Sequence, residues 1–341
     1  MARVLVAMSG GVDSSVAAAD LRDAGHDVAG VTLKLWGGES DTGCCSVSDV
    51  DDARRVADHL GLDHHVFNFG PDFDRHVVDP YVQAHAEGRT PNPCIECNRH
   101  LKFDRLLDRA RALGFDAVAT GHHARVVERP DGTRRIARGA DAAKDQSYVL
   151  HMLDQAVLAQ VLLPVGSMTK ADVRRRAEEL GLRTAAKPDS QDVCFIQAGP
   201  GRRGFLGARL DLTPGRVVDD DGRQVGQVEA VELVTVGQRR GLGLRKAEPR
   251  FVTSVDVPTA TVTVGRREDL LVDETVLADL VWADRPVAGA VEVQCSAHGE
   301  VRHGVLGDDR VVWPSPQPTV APGQSVVFYD GDEVLGGGIA T

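Results

Sequence analysis

The chain has 341 residues, of which 42% are apolar and 26% charged, and its formal net charge at pH 7 is −11. This length is too great for one compact core, so we expect a soluble globular protein of two or three domains. The net negative charge argues against a protein that coats nucleic acid nonspecifically, although it is compatible with a local basic face. No apolar run approaches the roughly 18 residues of a membrane span, and the N-terminus lacks the pattern of a signal peptide. We therefore expect a cytoplasmic protein with no membrane partner.

Strand and helix patterns alternate through the first half of the chain. Apolar runs predict strands at 3–9, 27–36, 64–69 and 116–123, the last of which passes into a loop. Helical spacing and capping residues predict helices at 13–25, 48–61 and 98–114. This alternation indicates an α/β fold with a doubly wound, mostly parallel sheet. Ligands of such sheets bind beyond the carboxyl ends of the strands, so the first places to look for a site are the loops at 9–15, 33–36 and 120–123 and the loop that we expect around the cysteines of residues 89–98.

The pattern changes after about residue 198. A Gly- and Arg-rich junction, "GPGRRGF" (199–205), is followed by short alternating segments separated by turn residues. We predict a catalytic domain at 1–198, a small β-rich domain at 199–266 and a C-terminal β-barrel at 267–341.

The loop "SGGVDSS" (9–15) separates the first strand from the first helix. Gly10 and Gly11 allow a tight turn whose N–H groups can approach phosphate, and the helix N-terminus adds the positive end of its dipole. The loop has no Walker lysine and no GxGxxG pattern, which argues against a P-loop kinase or a Rossmann dehydrogenase. The alternative is a Gly-rich turn with capping serines and no ligand.

The segment "RTPNPCIECN" (89–98) holds two of the six cysteines, Cys94 and Cys97, in a CxxC pattern. CxxC can be a redox dithiol, half of a zinc site, a set of iron–sulfur ligands or a structural feature. In a cytosolic chain, cysteines are more often reduced, catalytic or metal-binding than paired in disulfides. Cys194 lies in the apolar run "DVCFI", where a small buried hydrophobe would also fit.

These motifs resemble those of a known family. After an N-terminal strand, "SGGVDSS" is similar to the PP-loop of the N-type ATP pyrophosphatases, which cleave ATP to AMP and pyrophosphate. The stretches at 88–103, 119–125, 143–153 and 187–196 resemble, in order and spacing, the tRNA-specific 2-thiouridylases of the MnmA family. The stretches 235–244 and 322–339 extend the resemblance over essentially the whole chain.

The resemblance implies an ATP-dependent tRNA-uridine 2-sulfurtransferase. ATP with Mg²⁺ would adenylate O2 of the wobble uridine, and sulfur would then displace AMP to form 2-thiouridine. Cys194 matches the cysteine that carries the persulfide, and Cys97 matches its nucleophilic partner. The partners implied are tRNAs for Lys, Glu and Gln, and a persulfide donor such as a cysteine desulfurase or a relay protein.

The resemblance also assigns binding residues position by position. Those that would bind ATP are Ala7, Met8, Ser9, Gly10, Gly11, Val12, Asp13, Ser14, Leu33 and Gly121. Those that would contact tRNA or the target base are Asn92, Pro93, Cys94, His122, Lys144, Asp145, Gln146 and Gln324.

One departure from the family pattern keeps two mechanisms open. Many members have an aspartate where this chain has Cys94, so three thiols, Cys94, Cys97 and Cys194, become candidate ligands of a 4Fe–4S cluster. A persulfide relay and such a cluster both remain open, whereas zinc is disfavoured because no second CxxC or paired His completes a site. Cys44 and Cys45 receive only a structural interpretation.

A second departure concerns contacts with RNA. The segment 293–299 lacks the Arg/Tyr-rich character of other members, so we expect its domain to contact tRNA through Gln324 or His298 instead. Local basic clusters could bind phosphate: Arg174 to Arg176, Arg202 with Arg203, Arg239 with Arg240, and Arg245 with Lys246.

Two rival functions stay open on the sequence alone. Another PP-loop ligase acting on a small acid would need neither the reactive cysteines nor an all-β tail. A non-catalytic RNA- or nucleotide-binding protein would keep its RNA binding when Asp13 or Cys194 is replaced.

Overall fold

A computed structural model of the chain describes residues 1–35, 47–189, 193–196, 199–244 and 249–341. Three sheets, of five, four and eight strands, organise these residues. Within the described ranges, no helix is both long and apolar enough to cross a membrane. Trp36, Cys44, Cys45, Arg245 and Lys246, which the sequence reasoning singled out, lie outside the described residues.

The strands are β1 (Arg3–Ala7), β2 (Asp27–Lys34), β3 (Asp63–Asn68), β4 (Ala117–Ala119), β5 (Ala124–Glu128), β6 (Arg134–Arg138), β7 (Val161–Leu162), β8 (Gly215–Val218), β9 (Gln224–Val228), β10 (Phe251–Asp256), β11 (Thr261–Gly265), β12 (Leu271–Trp282), β13 (Gly289–Gln294), β14 (Arg302–Leu306), β15 (Arg310–Pro318), β16 (Ser325–Asp330) and β17 (Glu333–Ala340). The α-helices are α1 (Val12–Asp23), α2 (Val47–Leu60), α3 (Gly70–Phe73), α4 (Asp79–Ala86), α5 (Pro93–Glu96), α6 (Leu106–Ala112), α7 (Gln155–Leu158), α8 (Lys170–Glu179) and α9 (Gly201–Gly207). Turns of π-helix at Asp74–Val78 and Cys97–Arg105 join α3 to α4 and α5 to α6, and 3₁₀ turns lie at Ser147–Leu150, Pro164–Ser167, Arg183–Ala186, Val231–Leu233 and Glu268–Leu270.

The first sheet has the strand order β3-β2-β1-β4-β7, and all of its pairs are parallel. The predicted doubly wound α/β fold is thereby confirmed. Strand β2 lies beside β1 on one side, and β4 lies beside β1 on the other side. The connections after β1 and β4 therefore run in opposite directions, and a crevice opens between the loops that follow these two strands. Those loops carry "SGGVDSS" and "TGHH", respectively.

Helices cover both faces of this sheet. Val4 and Val6 of β1 belong to the core formed with α1, α2 and α8, whereas Leu5 belongs to the core formed with the helices between residues 70 and 112. Both faces of the strand are therefore buried, which explains why β1 appears in the sequence as a continuous apolar run rather than an alternating one.

The second half is built of antiparallel and mixed sheets. Strands β10-β11-β8-β9 form the small central sheet. Strands β12-β15-β14-β13-β16-β17 close into a six-stranded barrel through the β12–β17 pairing, which confirms the predicted C-terminal barrel. The sequence reasoning did not foresee that the β5–β6 hairpin extends this sheet, through pairing of Ala137 with Glu333.

The CxxC motif lies in a helix rather than in the loop that we expected. We predicted a helix at 98–114, but the helical segment begins at Pro93 and ends at Ala112. Asn92 caps its N-terminus by accepting a hydrogen bond from the Cys94 N–H at 3.0 Å, and Pro93 occupies the first turn, where its missing N–H costs nothing. Cys97 begins the π-helical turn, a feature that is frequent at functional sites.

Candidate active site

Glycine and serine contacts shape the loop that follows β1. Gly10 has a φ of +72°, and a Cβ at this position would collide with the carbonyl oxygen of Asp49, so a side chain is excluded here. The Ser14 hydroxyl accepts a hydrogen bond from the Ser9 N–H at 3.2 Å, and the Ser15 hydroxyl donates to the Gly11 carbonyl at 2.7 Å. Helix α1 starts at Val12, directly after Gly11. Its first N–H groups have no partner within the helix and lie at the carboxyl end of β1.

The other residues predicted to bind ATP surround this loop. Ala7 ends β1, and Met8 donates its N–H to the Val31 carbonyl at 2.8 Å. The side chains of Met8, Val12 and Leu33 are buried in the core, so their backbone atoms are what they can offer to a ligand.

Gly121 brings the loop after β4 against the loop after β1. A Cβ on Gly121 would lie 2.5 Å from the Ser14 nitrogen and 2.7 Å from the Asp13 carbonyl carbon. Contacts this close have no room for a methyl group, so glycine is required for the two loops to meet at the crevice.

Asp13 is the centre of an ion-pair network. Lys170 donates to both of its carboxylate oxygens, at 2.7 and 2.8 Å, and His123 Nε2 lies 3.0 Å from Oδ1. Burial raises the pKa of Asp13, but the hydrogen bonds from His123 and Lys170 and the charge of Lys170 outweigh it and lower that pKa overall. Asp13 is therefore ionised and held in place by two partners that the sequence reasoning did not assign.

A second lysine reaches the same loop from the segment at 187–189. The Lys187 ammonium donates to the Gly10 carbonyl at 3.0 Å and to Asp49 and Asp52 at 2.7 Å each. Its charge is paired with these two carboxylates, so Lys187 fixes the loop and does not replace a Walker lysine. The sequence signal was the "KPDS" stretch, which we had used only to support the family resemblance.

Cys97 and Cys194 lie in the same layer of the protein. Cys97 is 7% exposed and belongs to the core between the sheet and the helices of residues 70–112, and Cys194 packs on that same core. Phe195, next to Cys194, makes edge contacts with the rings of Phe73 and Tyr81 at 5.5 and 5.6 Å between centroids. Cys94, in contrast, is exposed.

A cavity of about 540 Å³ lies between the two cysteine segments. Asn92 and Pro93 line it from the CxxC side, and Val193 and Ile196 line it from the Cys194 side. Arg202 contributes a guanidinium, which donates to the Leu233 carbonyl at 2.8 Å.

The C-terminal barrel closes one side of this cavity. Gln324 lines the cavity and donates its side-chain amide to the Thr90 carbonyl, while the Thr90 N–H donates to the Pro322 carbonyl at 2.8 Å. The predicted tRNA-contacting residues Asn92, Pro93 and Gln324 are therefore brought together, although Gln324 is more than 230 residues from the other two along the chain.

The predicted "KDQ" contacts are turned mainly inward. Lys144 pairs with Asp189 at 2.8 Å, and its side chain is 37% exposed. Asp145 is buried and accepts hydrogen bonds from the Gly139 and Ser147 N–H groups, at 2.9 and 3.1 Å. Gln146 accepts from the His123 N–H at 2.8 Å and so supports the loop after β4. Lys144 and Gln146 are half-buried, whereas Asp145 is fully buried.

His122 is buried beside the crevice. Its Nδ1 lies 2.7 Å from the Thr120 hydroxyl, and its ring packs 5.9 Å from that of Phe103. Burial, together with the charge of Lys102, holds the pKa of His122 well below its ordinary value, so the imidazole is neutral.

The thiols do not form a metal site in this arrangement. Within the described residues, no three His, Cys, Asp or Glu side chains are grouped so that they could hold a metal ion. Cys94, Cys97 and Cys194 therefore do not fit a cluster in the geometry observed here. Both carboxylate oxygens of Asp13, a predicted ATP-binding residue, are bound to Lys170.

Two of the four predicted basic clusters contain arginines that are paired with acidic neighbours. Arg174 pairs with Asp189, Arg175 with Asp172, and Arg176 with Asp20 and Asp23. Arg203 pairs with Glu229. Arg239 and Arg240 are exposed, as is His298 on the barrel.

The strand order, the crevice between β1 and β4 and the "SGGVDSS" loop together define the first half as an α/β domain of the PP-loop class. Family models match three consecutive parts of the chain: a tRNA methyl transferase HUP domain at 2–198, a tRNA methyl transferase PRC-barrel domain at 203–266 and an aminomethyltransferase beta-barrel domain at 285–340.

Curated relatives match over the full length. Proteins named tRNA-specific 2-thiouridylase MnmA are 45% identical in Roseiflexus sp. (strain RS-1), 48% in Chloroflexus aggregans and 48% in Mycobacteroides abscessus. Each alignment covers 99% of this chain and 98 to 99% of the relative. The chain belongs to the tRNA-specific 2-thiouridylase family, which confirms the family predicted from the motifs.

Proposed function

We propose that this protein is an ATP-dependent transferase that replaces O2 of a tRNA wobble uridine with sulfur. The observation that carries the proposal is the cavity that both cysteine segments line, in a chain whose first half is a PP-loop domain. Membership of a family whose relatives are named for tRNA 2-thiolation gives the reaction class. The family models, by contrast, are described by methyl transfer. A cavity lined by residues that neighbour Cys97 and Cys194 favours sulfur transfer.

The first step would use the loop after β1. The N–H groups around Gly10 and Gly11 and the start of α1 are suited to the phosphates of ATP, and Lys187 holds the loop through the Gly10 carbonyl. Uridine O2 attacks the α-phosphate, pyrophosphate leaves, and O2 is carried as an AMP ester. This step is needed because the oxygen of uracil C2 is a poor leaving group until it is adenylated.

The second step would use the cysteine pair. The terminal sulfur of a persulfide on Cys194 attacks C2, and AMP leaves with the original oxygen. The Cys97 thiolate then attacks Sγ of Cys194, which releases 2-thiouridine and leaves a Cys97–Cys194 disulfide. A thiol reductant must reduce that disulfide, and a persulfide donor must recharge Cys194, before the next cycle.

The substrates and partners follow the family. We propose tRNAs for Lys, Glu and Gln as substrates, ATP with Mg²⁺ as cosubstrate, and a cysteine desulfurase or a relay protein as the sulfur donor. The wobble base must leave the anticodon stack to reach a cavity of this kind. Asn92, Pro93 and Gln324 are the lining residues best placed to meet it.

The test is reconstitution with unmodified tRNA, ATP, Mg²⁺ and a persulfide donor, using protein purified without oxygen. Pyrophosphate, 2-thiouridine, iron and acid-labile sulfide are measured on the same sample. We expect Cys97→Ser and Cys194→Ser to release pyrophosphate but form no 2-thiouridine, and Cys94→Ser to form both products. Cys295→Ser, a cysteine of the barrel, is the matched control and should be active.

Two outcomes would contradict the proposal in different ways. Near-stoichiometric cluster iron, with activity lost when the iron is removed and in Cys94→Ser, would replace the persulfide relay with a cluster mechanism. Absence of both pyrophosphate and 2-thiouridine from the wild-type reaction would remove the sulfurtransferase function itself.

A further inference from the structure

We infer that Asp189 is a positioning residue for sulfur transfer. Through its contact with the ammonium of Lys170, Asp189 links the segment that carries Cys194 to the nucleotide loop. The inference rests on the proposed function and assigns a role to a carboxylate that the two-step chemistry does not use. It predicts that Asp189 is needed for the second step far more than for the first.

The link between the segment and the loop is one lysine that contacts two carboxylates. Lys170, at the start of α8, donates to both oxygens of Asp13 and lies 2.9 Å from Asp189 Oδ1. Its side chain is only 12% exposed, so water competes little for these contacts. A partly buried lysine that lost one of its two carboxylates would keep the other, which lets the loop and the segment separate without leaving the charge unpaired.

Asp189 gathers two further cations. Lys144 donates to its Oδ2 and Arg174 to its Oδ1, each at 2.8 Å. Arg174 also donates to the carbonyls of Ala185 and Lys187, at 2.7 and 3.1 Å, so it fixes the backbone just before Asp189. The side chain of Asp189 is 20% exposed, which makes this a set of contacts at the margin of the crevice rather than on the open surface.

Chain length then links Asp189 to the sulfur carrier. Cys194 follows Asp189 by five residues, so its Cα cannot lie more than about 18 Å from that of Asp189. Lys187 fixes the same segment to the other side of the nucleotide loop, at the Gly10 carbonyl. Residues 187 and 189 are thus both attached to the loop, and Val193, four residues after Asp189, lines the cavity.

This arrangement has a consequence for the two steps. Adenylation needs the loop, which keeps Lys170 and His123 on Asp13 when Asp189 is removed. Attack on C2 needs the persulfide at a defined place, and a displacement of about 1 Å can cost a reaction step two orders of magnitude. Loss of Asp189 should therefore slow sulfur transfer without slowing adenylation to the same degree. The adenylated uridine should accumulate or hydrolyse.

The first experiment measures pyrophosphate and 2-thiouridine in single turnovers of the persulfide-loaded enzyme. For Asp189→Asn we expect pyrophosphate release within about threefold of wild type, and 2-thiouridine formation reduced by about tenfold or more. Asp189→Glu should restore part of the thiouridine formed per pyrophosphate. Asp27→Asn, an ion-paired aspartate at the opposite end of the sheet, is the control and should behave as wild type. Equal losses in both products, or no loss in either, would overturn the inference.

A second variant and a second measurement keep the test independent of folding and of the proposed function. Arg174→Gln loosens the same segment without touching Asp13, and should show the same split to a smaller degree. The rate at which iodoacetamide labels Cys194, followed by mass spectrometry without ATP or tRNA, should rise several-fold in Asp189→Asn. An unchanged labelling rate would overturn the inference even in an enzyme that made no thiouridine.

Discussion

At the scale of single residues, Gly121 decides whether the two loops of the crevice can meet. We expect Gly121→Ala to weaken ATP binding and pyrophosphate release by about 100-fold, because its Cβ would overlap the Ser14 nitrogen and Asp13 and displace the loop by about 1 Å. Titration calorimetry with ATP and a pyrophosphate assay measure the effect. Gly307→Ala, whose Cβ would meet only Arg310 atoms at 3.8 Å, is the matched control. Normal ATP affinity in Gly121→Ala would show that the crevice is not the nucleotide site.

Residues that act through distant partners were beyond sequence reasoning. "SGGVDSS" could be recognised because glycine, serine and the strand–helix context stand next to each other in the chain. The ion pairs that hold Asp13 could not, because Lys170 is 157 residues away and His123 is 110 residues away. A lysine in a helix predicts only a solvated side chain until the fold shows which carboxylate it meets.

At the scale of elements, the sequence contains a local signal for the start of the helix of residues 93–112, although the prediction did not use it. Asn92-Pro93 is a typical N-cap followed by proline in the first helical turn, and it marks the observed start of the helix. The predicted start was residue 98, after an expected loop that carries the CxxC motif. The β5–β6 hairpin was missed for a different reason, since nothing local to residues 124–138 indicates that β17 would pair with it.

Substitutions at Asn92 can separate its role as the helix cap from a role in contacting the target base. Asn92→Ala should destabilise the start of this helix by about 1 kcal/mol and reduce thiolation, because the segment that carries Cys97 loses its fixed entry. Asn92→Asp keeps an oxygen that can accept from the Cys94 N–H, so it should restore stability. If Asn92 also contacts the target base, Asn92→Asp will restore the melting temperature but not 2-thiouridine formation. Recovery of both would make the cap its whole contribution.

At the scale of the whole molecule, buried histidines lie where the three parts of the chain meet. His85 of α4 donates from Nδ1 to the Glu232 carbonyl of the central domain, at 2.9 Å. His151 donates from Nδ1 to the Tyr148 carbonyl, and Gly337 of the barrel packs directly on its ring. Burial lowers the pKa of each to about 4, despite the backbone hydrogen bonds that oppose this shift. Both are neutral in the folded protein at neutral pH.

The same two histidines predict how stability depends on pH. In the unfolded chain, each histidine takes up a proton near pH 6.5, whereas in the folded chain it does so only near pH 4. The stability that they contribute is therefore fully present above pH 6.5 and is lost as pH falls from 6.5 towards 4, by at most about 3 kcal/mol for each histidine. Scanning calorimetry between pH 7.5 and 4.5 should show a melting temperature that falls through this window. His85→Gln and His151→Gln should each melt lower at pH 7.5 but lose less on acidification, whereas His298→Gln, at an exposed site, should keep the wild-type slope. A wild-type melting temperature that stayed constant down to pH 5 would mean that these junctions admit a charged imidazole, and that they are looser in solution than the packing around His85 and His151 requires.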